Sequence, residues 1–142
     1  GVVYDPLRDE LFAGGRDRPT TLNGEVVHGS QRADLASALV ATGFGYDAHQ
    51  RGEQGAIAAT LLSRCRDLRR AGSAALDLAW AAAGRVDAYY EHGVQRWDAA
   101  AGLLLCAGAG LEVRPLHARG LLPTGVLVAP PAIAGELAAL VG

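Results

Sequence analysis

The sequence predicts an α/β protein: a layered α/β sandwich with an antiparallel β-meander at its N-terminus. Three observations lead there. From residue 38 onward strand-like and helical stretches alternate, which argues for strands and helices packed in layers. The first 28 residues place turn signals between short extended runs, among them Asn23-Gly24, a strong hairpin signal. Hydrophobic residues make up 50% of the 142 positions, the range of globular domains. A chain of that length buries about two-thirds of its unfolded surface, enough for a core.

Residues 1–5 read as a strand that Pro6 stops. Asp9 to Ala13 form a second strand, joined through the turn Asp5-Pro6-Leu7-Arg8. Gly14 to Pro19 read as a loop. Thr20 to Leu22 and Glu25 to Val27 flank the Asn23-Gly24 turn. Ser30 to Leu35 is a connector with room for one helical turn. Ala38 to Thr42, closed by Gly43, is an apolar run that suits a buried strand. Residues 48–64 carry Ile57, Ala58, Leu61 and Leu62 on one helical face, with Gln54 at its polar edge. Asp67 to Arg70 is a short strand. A helix over 72–84, a strand over 85–90, a helix over 98–107 and strands over 111–114 and 125–129 follow. Pro130-Pro131 ends the last strand and opens a helix over 132–141, with Pro131 near its first turn.

The chemistry gathers between Arg70 and Gly102. Gly72 permits a tight turn, and Ser73 is a good N-cap for a run of Ala and Leu. A helix start also leaves unpaired N–H groups and a partial positive charge, which attract phosphate. Glu91 ends the next strand, and ligands of open α/β sheets collect at the carboxyl ends of strands. An ordinary solvated glutamate is the competing reading. Asp98, before three alanines, is either the N-cap of the following helix or a hard oxygen ligand for a divalent cation such as magnesium. Two helix starts and two acids on one side of a sheet suit an anion together with a divalent cation. Arg69 and Arg70 are further candidates for phosphate, or a solvated strand end. A Ser73–His92–Asp98 triad finds no support, because the Gly-x-Ser-x-Gly elbow is absent.

Gly72-Ser73-Ala74-Ala75, the run Asp87-Ala88-Tyr89-Tyr90-Glu91-His92-Gly93 and Trp97-Asp98-Ala99-Ala100-Ala101-Gly102 together resemble the C-terminal signature of the inositol monophosphatase family. The resemblance runs from the Tyr4-Asp5-Pro6 strand end to the final helix. It implies the C-terminal part of a sugar-phosphatase-like fold and a magnesium-dependent phosphomonoesterase that is typically a homodimer. It further implies that Asp98 is a metal ligand, that Gly72, Ser73 and Ala74 line the phosphate and substrate pocket, and that Glu91 accepts a hydrogen bond from a substrate hydroxyl. The Tyr-Tyr-Glu-His-Gly run favours inositol phosphate over fructose bisphosphate or histidinol phosphate. The family's Gly-Glu-Glu helix and Asp-Pro-x-Asp-Gly-Thr strand end, which supply most metal ligands, do not occur, and there is no methionine. The expectation is therefore a C-terminal fragment that lacks most metal ligands and holds no catalytic residue. In it, residues 1–28 would complete the sheet of an absent N-terminal half, and 29–142 would form the C-terminal α/β domain. The alternative is a non-catalytic half-domain that dimerises or binds an anion.

The formal net charge of −2 gives no basic footprint for nucleic acid. No run of about 18 or more apolar residues suggests a membrane span, and no leader is visible. Cys65 and Cys106 lack zinc spacing and sit in apolar helical surroundings. They read as reduced core residues of a cytoplasmic protein whose partner is a small phosphorylated polyol.

Overall fold

Two β-sheets and four helices alternate in layers in the computed structural model, which describes all 142 residues. The first sheet is the expected meander: β1 (Val2–Asp5), β2 (Glu10–Gly15), β3 (Arg18–Leu22) and β4 (Glu25–Val26), antiparallel and in sequence order. Asn23 and Gly24 have φ of 50° and 89°, the left-handed pair that matches the twist of a two-residue hairpin. The Asn23 side chain also accepts from Leu11 N at 2.7 Å and donates to Asp9 O at 3.0 Å. One residue thus ties the turn after β3 to the start of β2.

The expected loop over 14–19 is shorter than the sequence suggests. β2 continues to Gly15 and β3 begins at Arg18, leaving only Arg16-Asp17 as the turn. Pro19 has no N–H to give the ladder, and the register slips between Ala13 and Gly15. The strand absorbs Pro19 as an irregularity instead of ending at it.

The second sheet holds β5 (Leu39–Thr42), β6 (Asp67–Arg69), β7 (Ala88–His92), β8 (Glu112–Leu116) and β9 (Gly125–Ala129), in the order β6-β5-β7-β9-β8. β5 is parallel to β6 and β7, while β9 is antiparallel to β7 and β8. Helices α1 (Ala48–Leu62) and α4 (Pro131–Val141) cover one face. There Ile57, Leu61, Ile133 and Leu137 pack on Val40, Ala88, Tyr90 and Leu127. Helices α2 (Ala74–Ala82) and α3 (Arg96–Gly108) cover the other face. Leu78, Ala79, Leu105 and Cys106 pack there on Ala41, Tyr89 and Val128, and on Val3 and Phe12 of the meander. The layer order is therefore α1/α4, five-stranded sheet, α2/α3, meander.

With both faces covered, the central strands need no polar face. That is why β7 does not show the alternation of a half-exposed strand. Tyr89 and Tyr90 point to opposite faces and both are buried.

Helices α2 and α3 pack at very close range. A Cβ at Gly102 would stand 2.5 Å from Leu78 Cβ and 2.9 Å from its Cδ1, so only glycine fits beneath Leu78. Thr20 adds a clasp from the meander, its hydroxyl donating to Leu105 O at 2.8 Å. We expect Gly102→Ala to lower stability. Alanine gains up to about 1 kcal/mol of helix propensity, but overpacking against a rigid Cβ costs about 1–3 kcal/mol. A melting temperature reduced by several degrees is the expected result of a thermal melt; an unchanged or raised value would mean that the interface yields easily.

Candidate functional site

Helix α2 begins where the sequence places it. Gly72 has φ +96°, the left-handed region that favours glycine. Ser73 is extended, and its Oγ accepts from Leu76 N at 3.3 Å. The cap uses the hydroxyl as an acceptor, and its O–H is not donated within the chain. Helix geometry leaves the N–H groups of Ala74 and Ala75 without an intrahelical acceptor. Gly72 is exposed and Ala74 half-buried at this end.

Glu91 lies on β7, two residues after Tyr89, so both point toward α2 and α3. Tyr89 is fully buried and donates its phenol O–H to Glu91 Oε2 at 2.6 Å. The carboxylate rests on Gly43, in the loop between β5 and α1. A Cβ there would stand 2.0 Å from Oε2 and 2.6 Å from Oε1. Burial pushes the Glu91 carboxyl above its ordinary range; the Tyr89 hydrogen bond and the Arg70 guanidinium pull it back, and Asp98 pushes it up again. Burial and the charge of Glu91 raise Tyr89.

Asp98 is not an N-cap. Helix α3 starts two residues earlier, at Arg96, and Gln95 holds the cap position without a side-chain capping bond. Asp98 is the third helical residue, exposed, and its carboxylate accepts no hydrogen bond within the chain. Its charge nevertheless reaches Glu91 and Tyr89. The strand end, the start of α3 and, through Arg70, the turn before α2 therefore share one electrostatic neighbourhood.

His92 lies outside that neighbourhood. It is buried, with Nδ1 2.8 Å from Pro123 O and Nε2 2.8 Å from Val141 O, so neither ring nitrogen is available to Ser73 or Asp98. Arg69 is paired with Asp67, which leaves Arg70 as the free guanidinium next to the site.

The sequence reading passed over two residues. Gln54, placed at a polar edge, is buried instead. Its Oε1 accepts from Gly45 N at 2.9 Å and its Nε2 donates to His92 O at 3.1 Å, which pins the loop carrying Gly43 to the end of β7. Asp77 is 2% exposed, and its Oδ1 has no hydrogen-bond partner. Burial, reinforced by the charge of Glu91, lifts its pKa to about 7 against the opposing pull of Arg70. The available signal was a single acid four residues after Ser73 in an otherwise apolar helix.

No group of three or more Asp, Glu, His or Cys side chains is placed to hold a metal ion. Magnesium takes six oxygens, often one or two carboxylates with waters and substrate phosphate oxygens. The exposed, unpaired Asp98 fits the part of one such ligand, and these residues do not make up a complete site.

The sequence model of the inositol monophosphatase family matches residues 1–142. The chain is 49% identical over 110 residues to Nus factor SuhB of Escherichia coli K12, covering 77% of this chain and 41% of that protein. It is 51% identical over 107 residues to inositol-1-monophosphatase SuhB of Mycobacterium tuberculosis, covering 75% and 37%. Among solved structures, inositol monophosphatase from Anabaena superposes with a TM-score of 0.89 at 37% identity, over 99% of this chain and 57% of that one. Mycobacterium tuberculosis SuhB does so at 0.89 and 41% identity, again over 99% and 57%. The chain thus spans less than three-fifths of the solved relatives it matches.

Asp77 generates a pH prediction. Its folded pKa, about 7, lies above the ordinary 3.8. Between those values the native state holds a proton that the unfolded chain has released, so stability falls as pH rises from about 4 to 7. The loss is on the order of a few kcal/mol. Asp77→Asn, which is neutral throughout, should flatten that slope and make the protein more stable than the parent above pH 7. Urea titrations across this range check it; parallel curves for parent and variant would rule out a protonated Asp77.

Proposed function

The chain belongs to the inositol monophosphatase family, and on that premise we propose that the whole protein is a magnesium-dependent phosphomonoester hydrolase acting on a small phosphorylated polyol. The observation that carries the reading is Asp98: an acid at a helix start that caps nothing, pairs with nothing and whose charge reaches Glu91 at the strand end. The name of the Mycobacterium tuberculosis relative, inositol-1-monophosphatase, favours an inositol phosphate.

We assign the roles as follows. The N–H groups of Ala74 and Ala75, with the positive end of α2, hold the phosphate. Gly72 lets the chain turn into that helix, and Ser73 fixes its first turn. Glu91 accepts a hydrogen bond from a polyol hydroxyl and sets the orientation of the ring. Asp98 provides one oxygen ligand for magnesium, whose remaining protein ligands we assign to parts of the protein outside these 142 residues. Bound magnesium would supply charge neutralisation of the phosphate and an acidified water. In the same reading residues 1–28 continue a larger sheet, 29–142 form the C-terminal α/β domain, and the protein is a cytoplasmic homodimer. Both cysteines are buried free thiols, which suits a reducing compartment. No helix is long and apolar enough to cross a membrane.

These 142 residues alone should show no magnesium-dependent turnover of inositol 1-phosphate. Turnover by the isolated stretch at the rate of an intact phosphatase would refute the assignment of the other ligands. For Asp98→Asn in the whole protein, we expect the metal-free melting temperature to stay within a few degrees, because the carboxylate makes no bond to lose. Magnesium binding should weaken, and turnover should fall at least about 100-fold, a barrier rise of roughly 2.7 kcal/mol. Calorimetry and steady-state kinetics measure the pair, and near-normal magnesium-dependent turnover would remove Asp98 from the site.

A further inference from the structure

We infer that Tyr89 and Gly43 form a specificity brace: together they hold the Glu91 carboxylate in the one position from which it selects a hydroxyl-bearing substrate. The inference rests on the proposed role of Glu91 and adds two positioning residues that never touch the substrate.

Three contacts define the brace. The Tyr89 hydroxyl donates to Oε2 at 2.6 Å, and the ring is fully buried, so the donor has no freedom to follow a moving carboxylate. Gly43 supplies the space. The three atoms nearest to a Cβ at residue 43 are Oε2, Cδ and Oε1 of Glu91, at 2.0, 2.3 and 2.6 Å. The carboxylate occupies the volume that any other residue's side chain would take. Gln54 keeps this wall in place by bonding Gly45 N on one side and His92 O on the other. The loop with Gly43 is thereby locked to the residue that follows Glu91 in β7.

The chemical consequence is an asymmetric carboxylate. Oε2 already accepts from Tyr89, and Oε1 makes no bond within the chain, so Oε1 is the oxygen left wholly free as an acceptor, in a direction the Tyr89 bond fixes. An acceptor-only oxygen that carries negative charge recognises a hydroxyl donor and repels a second anionic group. A free glutamate at a strand end would sweep a cone of positions and discriminate poorly. Side-chain rotamers otherwise cost entropy to fix on binding. The brace meets that cost in the folded protein before the substrate arrives.

The test uses the whole enzyme with two substrates, inositol 1-phosphate and p-nitrophenyl phosphate, which lacks hydroxyls. The measured quantity is the ratio of their kcat/KM values. Tyr89→Phe keeps the buried ring and removes only the donor. Gly43→Ala leaves the hydrogen bond's chemistry intact and pushes the carboxylate aside. Each should lower the ratio at least tenfold, through KM for inositol 1-phosphate and not through kcat. Neither should lower it further in a Glu91→Gln background, because both act through Glu91. A ratio within threefold of the parent for either single variant, or losses that add to that of Glu91→Gln, overturns the brace. If Glu91→Gln itself leaves the ratio unchanged, the proposed role of Glu91 falls, and the brace with it. A ratio that collapses in Glu91→Gln alone removes only the brace.

Discussion

Everything at the site depends on how closely α3 approaches α2. Leu78 stands over Gly102 where no side chain fits, and Cys106 Sγ donates to Leu78 O at 3.1 Å in the same contact. The two helices are held side by side with their N-termini toward the carboxyl end of β7. Had Gly102 carried a Cβ, the pair would have to separate or slide, and Asp98 would move relative to Glu91. Because the interior is packed like a solid, that displacement is not absorbed locally. The glycine that closes the Trp97–Gly102 motif thus has a packing reason, and the aspartate near its start inherits its position from it.

The second organising feature is an excess of negative charge in a partly dry place. Asp77, Glu91 and Asp98 are close enough to disturb one another or their shared neighbours, and Arg70 is the free cation among them. Such a group is costly to assemble without a counter-charge. The chain limits that cost in three ways. Asp98 stays exposed to water, Glu91 receives a phenol donor, and Asp77, with its pKa raised to about 7, can hold a proton below that pH. The Asp98 carboxylate, free of bonds, is the part of the cluster that remains open to a cation.

Around this cluster the structure is stiff. The loop after β5 is clamped by Gln54, β7 is flanked by β5 and β9, and His92 bridges the 117–124 loop and the end of α4 through both ring nitrogens. The strand that presents Glu91 is therefore fixed from the sheet, from the loop below and from the last helix. Binding residues placed on rigid elements lose less entropy when a ligand arrives.

What the sequence determined by itself was set by contacts between near neighbours in the chain. Asn23-Gly24 specified its hairpin because few residue pairs adopt two left-handed conformations cheaply. Ser73 specified the start of α2 because its hydroxyl reaches an N–H three residues ahead. The apolar run from Ala38 to Thr42 announced a buried strand, and the spacing of Gly72, Glu91 and Asp98 carried the family resemblance. The tertiary structure alone decided the rest, because those contacts join residues far apart in sequence. Glu91 rests on Gly43, and Gln54 reaches His92 across 38 positions. Asp98 looked equally suited to a cap or a ligand, and only the start of α3 at Arg96 removed the first option. Asp77 passed as an ordinary helix residue because burial is a property of what packs around a side chain, and no local pattern records it.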